Sequence, residues 1–353
     1  MRRPNTLSLL AAACLAFHLY AGFAFIRSAA PTYDETVHLA SGYSYLATGR
    51  YAMNVMDHPP FSEMLSALPL LALKPQAFSA HPYFAGLMPY HYGDLFLYNN
   101  TAPAEKLLDT ARVFTFLVWT ALLALFLWLL MSRLESPAAA AFSVCAFAGL
   151  PAFISNDALV TTDASAAVFF FGAFVMAWRF MSEPAAAAKK GEKGGRPRLW
   201  AALAGLVSGL ALVSKFSMFI VPPLVAVFWL ADNRFRAKYR LGELLAYVAL
   251  YSAVCLLTVA VVYKFDLALY LKGLTATLGR LDQGRSSFAM GRYSLHGTWW
   301  YFPAAALLKT PVLALLAAGL GVWAAVFYRN HLSIHPLSAP TRSFVGHSRR
   351  SGN

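Results

Sequence analysis

Apolar runs of membrane-spanning length recur along the whole chain, and few folds are open to a sequence built this way. They cover 7–26, 107–131, 136–154, 163–181, 199–231, 241–263 and 299–327. About 20 consecutive apolar residues make a helix that crosses the hydrocarbon core, and in lipid each backbone N–H and C=O must be satisfied internally. The expectation is an all-α polytopic membrane protein. Hydrophobic residues form 59% of the 353 positions and charged ones only 13%, which argues against a soluble domain.

The first run follows Arg2 and Arg3 and ends before Ser28, Ala29 and Ala30, as a secretory signal would. It is longer than the roughly 7–15 apolar residues of such signals, so an uncleaved first span is expected. Cys14, Cys145 and Cys255 fall in separate apolar runs and read as small core residues, not as a disulfide or zinc set.

The stretch 199–231 is too long for one span and is broken by "SKFSMFIVPP". Basic residues flank it on both sides: Arg133, Lys189, Lys190, Lys193, Arg196 and Arg198 before it, Arg234, Arg236, Lys238 and Arg240 after it. By the positive-inside rule these belong with Arg2, Arg3, Arg342, Arg349 and Arg350 on the cytoplasmic side. An even number of crossings follows, met by two short helices meeting near Lys215 at the outer side. The count becomes about eight spans with both termini inside. The net charge of +13 is then a topology and anionic-lipid signal, and nucleic acid is not an expected partner. "EPAAAAKKGEKGGRPR" reads as a solvated linker, and 329–353 as a polar cytoplasmic tail.

Two long segments face outward on this topology, 27–106 and 264–298, with a short one at "SNDALVTTD". In the first, Leu39, Tyr43 and Leu46 share a helical face that stops at Gly49, and Phe61, Met64, Leu65 and Leu68 repeat the pattern after "DHPP". Two amphipathic juxtamembrane helices lying on the membrane surface are predicted. They hold Asp34, Glu35, His38, Asp57 and His58 near the headgroups. In the second segment Lys264, Lys272, Arg280, Arg285 and Arg292 face only Asp266 and Asp282. Two readings stand: a solvated loop beside lipid headgroups, or a cationic seat for phosphate.

Five segments together resemble the GT-C membrane glycosyltransferases, in the branch of protein O-mannosyltransferases and the lipid A aminoarabinose transferase. They are "YDETVHLASGYSYLATGRY", "DHPPFSEMLSALPLL", "NDALVTTDASAAVFFFGAF", "GLVSGLALVSKFSMFIVPPL" and "SLHGTWWYFPAAALLKTP". The resemblance implies a GT-C-like catalytic module over 1–328, in a bacterial inner membrane with its active site toward the periplasm. It departs at the C-terminus, where family members usually carry further spans and this chain has its polar tail.

The implied reaction moves a sugar from a polyprenyl-phosphate donor to a hydroxyl on protein, lipid A or glycan. Phosphate leaves readily, so the chemistry asks for a carboxylate to take the acceptor proton and for positive charge at the phosphate. By the resemblance Asp34 is the general base, Glu35 orients the acceptor or a neighbouring group, and Asp163 positions sugar hydroxyls. His58, Lys215, Arg285, Arg292, His296 and Lys309 become substrate-binding candidates. Plainer readings accompany these. "TTD" suits a helix N-cap at Asp163, Lys215 suits a snorkelling side chain, and Trp299, Trp300 and Tyr301 suit an interfacial aromatic belt. Lys309 inside a span needs a partner or an aqueous cavity.

No cofactor is required by this chemistry. A divalent metal on Glu35, His38 and His58 stays open, since Glu35 and His38 stand at i, i+3; a single such motif is weak. That motif supports a metal-dependent hydrolase as one alternative. A transporter using Lys215 and Lys309 is the other, although no repeated halves are visible.

Overall fold

The computed structural model describes residues 6–134, 137–182, 196–236, 238–282 and 286–329. Arg2, Arg3, Lys189, Lys190, Lys193, Arg285 and the tail from 330 onward lie outside the described residues. The chain divides into two units, Met1–Gln283 and Gly284–Asn353.

The first unit opens with α1 (Thr6–Ser28), followed by α2 (Tyr33–Thr48), α3 (Pro60–Ala67), α4 (Leu70–Leu73), α5 (Pro82–Ala85) and α6 (Pro89–Tyr98). Then come α7 (Ala104–Leu134), α8 (Pro137–Ala148), α9 (Pro151–Asp157), α10 (Asp163–Ser182) and α11 (Pro197–Leu212). A 3-10 turn, Phe216–Ile220, leads into α12 (Val221–Arg236), α13 (Leu241–Val262) and α14 (Leu267–Asp282).

Among the described residues five helices are long and apolar enough to span, and seven if each of two bent pairs counts once. The sequence predicts eight. The difference is α11, whose 16 residues reach only about 24 Å at 1.5 Å per residue, short of a hydrocarbon core of roughly 30 Å. α8 and α9 meet at 67° because Pro151 cannot continue the helix that ends at Ala148.

Contacts at the helix ends show that successive segments alternate in direction. Arg112 near the start of α7 bonds the Ala29 carbonyl just past α1, and Lys215 after α11 meets Asp163 at the start of α10. At the other end Lys238 donates to the Met181 carbonyl of α10, and Arg179 stacks its guanidinium over Trp200 of α11. The outward and returning segments expected over 199–231 are thus present, with their turn at Lys215, although α11 is shorter than a full span. α11 lies against α13 through Gly205 and Gly209, where a Cβ would strike the Tyr251 carbonyl and Thr258. The GxxxG spacing lets two apolar helices bring their backbones close.

α2 and α3 occupy the segments the apolar spacing predicts, and Gly49 closes α2 in a left-handed conformation at φ 71°. Their setting differs from the prediction. α2 is not a surface helix: every residue from Glu35 to Tyr45 is buried. Gly42 makes this possible, since a Cβ there would collide with the Glu63 carbonyl of α3. Leu39, Tyr43, Leu70, Tyr92, Phe96 and Leu107 form the core of this layer.

In the second unit β1 (Ser287–Ala289) and β2 (Arg292–Ser294) pair antiparallel around Met290 and Gly291, at φ 52° and 77°. Two consecutive positive φ values match the twist of a tight hairpin. α15 (Tyr301–Lys309) and α16 (Val312–Arg329) follow at 109° to each other. The uninterrupted run predicted over 299–327 is therefore broken at Thr310 and Pro311, again because proline disfavours helix in the residue before it. Lys309 accordingly sits exposed in the last turn of α15, beside the bend, where a cation complements the helix dipole.

Candidate functional site

Asp34 and Glu35 are neighbours with opposite surroundings. Both lie in the first turn of α2, where negative charge complements the helix N-terminus. Asp34 is exposed, whereas Glu35 is completely buried. The Glu35 carboxylate accepts five hydrogen bonds: from Arg112 Nε and Nη2, from the Thr32 N–H and hydroxyl, and from the Val160 N–H. Arg112, 1% exposed, also donates to the Ala29 and Ala30 carbonyls. Burial alone would raise the Glu35 carboxyl, but Arg112 and the Val160 and Thr32 N–H groups outweigh it and hold it below the usual range. One carboxylate thereby ties together the segments after α1, at the start of α2, in α7 and before α10.

A second buried network lies beside it. Glu63 of α3, 1% exposed, accepts from His38 Nδ1 at 2.8 Å and from Asn54 Nδ2 at 2.7 Å. His38 meets His58 edge to face, with ring centroids 4.8 Å apart. His58 Nδ1 lies 3.4 Å from the Thr162 hydroxyl.

Beyond His58 the charged groups gather. Asp163, the first residue of α10, pairs with Lys215, which caps the 3-10 turn. Asp57 pairs with Arg280 of α14 at 2.7 Å, and Arg280 also donates to the Met56 carbonyl. Burial pushes His58 down to about 3, assisted by the positive charges of His38, Lys215 and Arg280 and opposed by Asp163. His58 is thus neutral near pH 7. Tyr90, stacked on Tyr33 at 4.8 Å, is raised first by burial and then by Tyr33, Asp34 and Asp57.

Asp163 is the first residue of α10, and its carboxylate pairs with Lys215 through Oδ1. Lys215 makes that ion pair with its Nζ. Glu35, His38 and His58 do not converge: Glu35 faces Arg112, and His38 faces Glu63. Among the described residues no three His, Cys, Asp or Glu side chains are grouped to hold a metal ion. Arg292, His296 and Lys309 belong to the second unit and are exposed there.

Sequence reasoning passed over Arg112, Glu63 and Asn54. A lone arginine within the apolar run 107–131 was the available signal, because a charge at such depth needs a partner. A family model of dolichyl-phosphate-mannose-protein mannosyltransferases matches residues 13–272, from α1 into α14. The chain belongs to this family. It is a multi-pass membrane glycosyltransferase of the GT-C class, and its donor is a sugar carried on a lipid phosphate. The family match includes every residue of the cluster just described except Arg280. A comparison with curated protein sequences finds no match.

Proposed function

We propose that this protein transfers a hexose or pentose from a polyprenyl phosphate to a hydroxyl acceptor at the periplasmic face of a bacterial inner membrane. The observation that carries the reading is the division of labour at 34–35. The exposed Asp34 is free to meet substrate because the buried Glu35 holds its helix in place. Glu35 is on this reading a positioning residue and not a contact to the acceptor.

The acceptor oxygen attacks the anomeric carbon as the bond to the phosphate oxygen breaks, inverting that carbon. Asp34 takes the acceptor proton, and the phosphate departs with the bonding electrons. Lys215 stabilises the phosphate charge, and the neutral His58 donates or accepts one further hydrogen bond. Asp163, held by Lys215, is left with carboxylate lone pairs for sugar hydroxyls.

A protein hydroxyl as acceptor is supported by the family, whose description names a protein mannosyltransferase. The orientation is supported by Arg196, Arg198, Lys238 and Arg240, which lie at the helix ends away from Asp34.

The test is transfer by the purified full chain in nanodiscs, with polyprenyl-phosphate mannose and a serine- and threonine-containing peptide, read by mass spectrometry. Asp34→Asn should lower turnover about 10²–10⁴-fold with donor binding retained. Near-normal turnover by that variant would reject Asp34 as the base.

A further inference from the structure

A cavity of about 610 Å³ lies among α7, α8, α9 and α10. Its wall is largely apolar, built from residues such as Leu123, Leu127, Phe147, Phe153, Val168 and Phe171. Two carboxyl side chains also line it, Asp157 and Asp163. Asp163 is occupied by Lys215. Asp157, the last residue of α9, is only 2% exposed, and its Oδ2 meets no hydrogen-bond partner among the described residues. Buried polar atoms are nearly always satisfied, so an unmatched carboxyl oxygen in an apolar cavity marks a place for a donor.

We propose that this cavity binds a single-chain neutral lipid with a hydroxyl head, a long-chain or isoprenoid alcohol. Its chain packs along α7 to α10 and its hydroxyl pairs with Asp157. The volume lies within the roughly 300–1,000 Å³ of ligand sites, and apolar walls with few polar groups are their usual make-up. α7 and α10 are membrane spans, so what enters from the side comes from the bilayer. The lining contains two carboxyls and no lysine or arginine, so a neutral head suits it better than an anionic one, although its Asp163 edge adjoins the Lys215 pair. A hydroxyl both donates and accepts, and so serves Asp157 whether or not it is ionised.

The test uses the full chain in nanodiscs and hexadecanol bearing a diazirine in its chain, with labelled peptides mapped by mass spectrometry. Labelling should fall within 142–171 and be displaced by unlabelled hexadecanol about tenfold better than by hexadecane or hexadecyl phosphate. Asp157→Leu should erase the preference for the alcohol over the alkane, and Asp157→Asn, which keeps a hydrogen bond, should retain most of it. Ala167→Phe, on the cavity wall, should abolish labelling. Equal displacement by hexadecane overturns the proposal and leaves a void that any bilayer chain fills. So does an unchanged preference in Asp157→Leu, or labelling that survives Ala167→Phe.

Discussion

Arg112 grips Glu35 with two parallel hydrogen bonds, Nε to Oε1 at 2.8 Å and Nη2 to Oε2 at 2.6 Å, and both side chains are almost wholly out of solvent. The value of such a pair shows when one partner is removed, because the survivor is left as an uncompensated buried charge. Arg112→Leu should destabilise the protein by about 3–5 kcal/mol, and Glu35→Met combined with Arg112→Met should recover part of that. Thermal unfolding in detergent measures both. A loss of only about 0–1 kcal/mol, typical of exposed pairs, would contradict the hub described above.

Acid should weaken the fold in two windows. His58 stands at about 3 in the folded protein against 6.5 ordinarily, so the unfolded chain binds its proton first. Its stabilising contribution is present above pH 6.5 and is lost as the pH falls from there toward 3. Glu35, depressed from 4.5, contributes above that value and loses its contribution as the pH falls through its lower folded value. His58→Gln should flatten the decline of melting temperature across the first window. An unchanged slope would mean that His58 is charged in the folded state.

Lys215 is the cation we assign to the donor phosphate. Lys215→Met should weaken binding of polyprenyl-phosphate mannose by about tenfold to a hundredfold, the worth of one charge-assisted hydrogen bond. Peptide binding should be far less affected. Direct titration of donor into nanodisc-embedded protein separates the two, and unchanged donor affinity would confine Lys215 to its pairing with Asp163.

Gly205 and Gly209 set the distance between α11 and α13. Gly205→Val should force the helices apart, with a loss of about 1–3 kcal/mol for overpacking. Gly242, whose Cβ would meet nothing, is the control and should tolerate alanine. Melting temperatures of the two variants should differ clearly; equal values would place the close approach elsewhere.

The direction of the bundle can be read with single cysteines. Positions 198 and 240 should label from one side of the membrane and positions 34 and 57 from the other. Labelling of 198 and 240 from opposite sides would remove the paired crossing around Lys215.

Much of this architecture was legible in the sequence where one residue type has one physical consequence. Gly49 stops α2, the prolines of "DHPP" start α3, and Lys215 marks the turn in an over-long apolar run. The burial of α2 was hidden, since helical spacing reports one apolar face and says nothing of polar residues that satisfy each other, as His38 and Glu63 do. The partner of Glu35 was hidden for a related reason. Arg112 lies in another helix, and pairing across such a separation leaves no periodic trace. The hairpin at Met290 and Gly291 lacked the usual asparagine–glycine signal, and the break at Pro311 was masked by apolar residues on both sides.

The Val160 N–H that completes the cradle of Glu35 has a bearing on synthesis. A nascent chain that has inserted α1 and α7 already contains Glu35 and Arg112, yet the peptide carrying Val160 has still to leave the ribosome. The helix bearing Asp34 is therefore fastened on every side only after α9 has been delivered. The cradle of this centre is completed by one backbone amide that is made after both charged partners and before the second half of the chain.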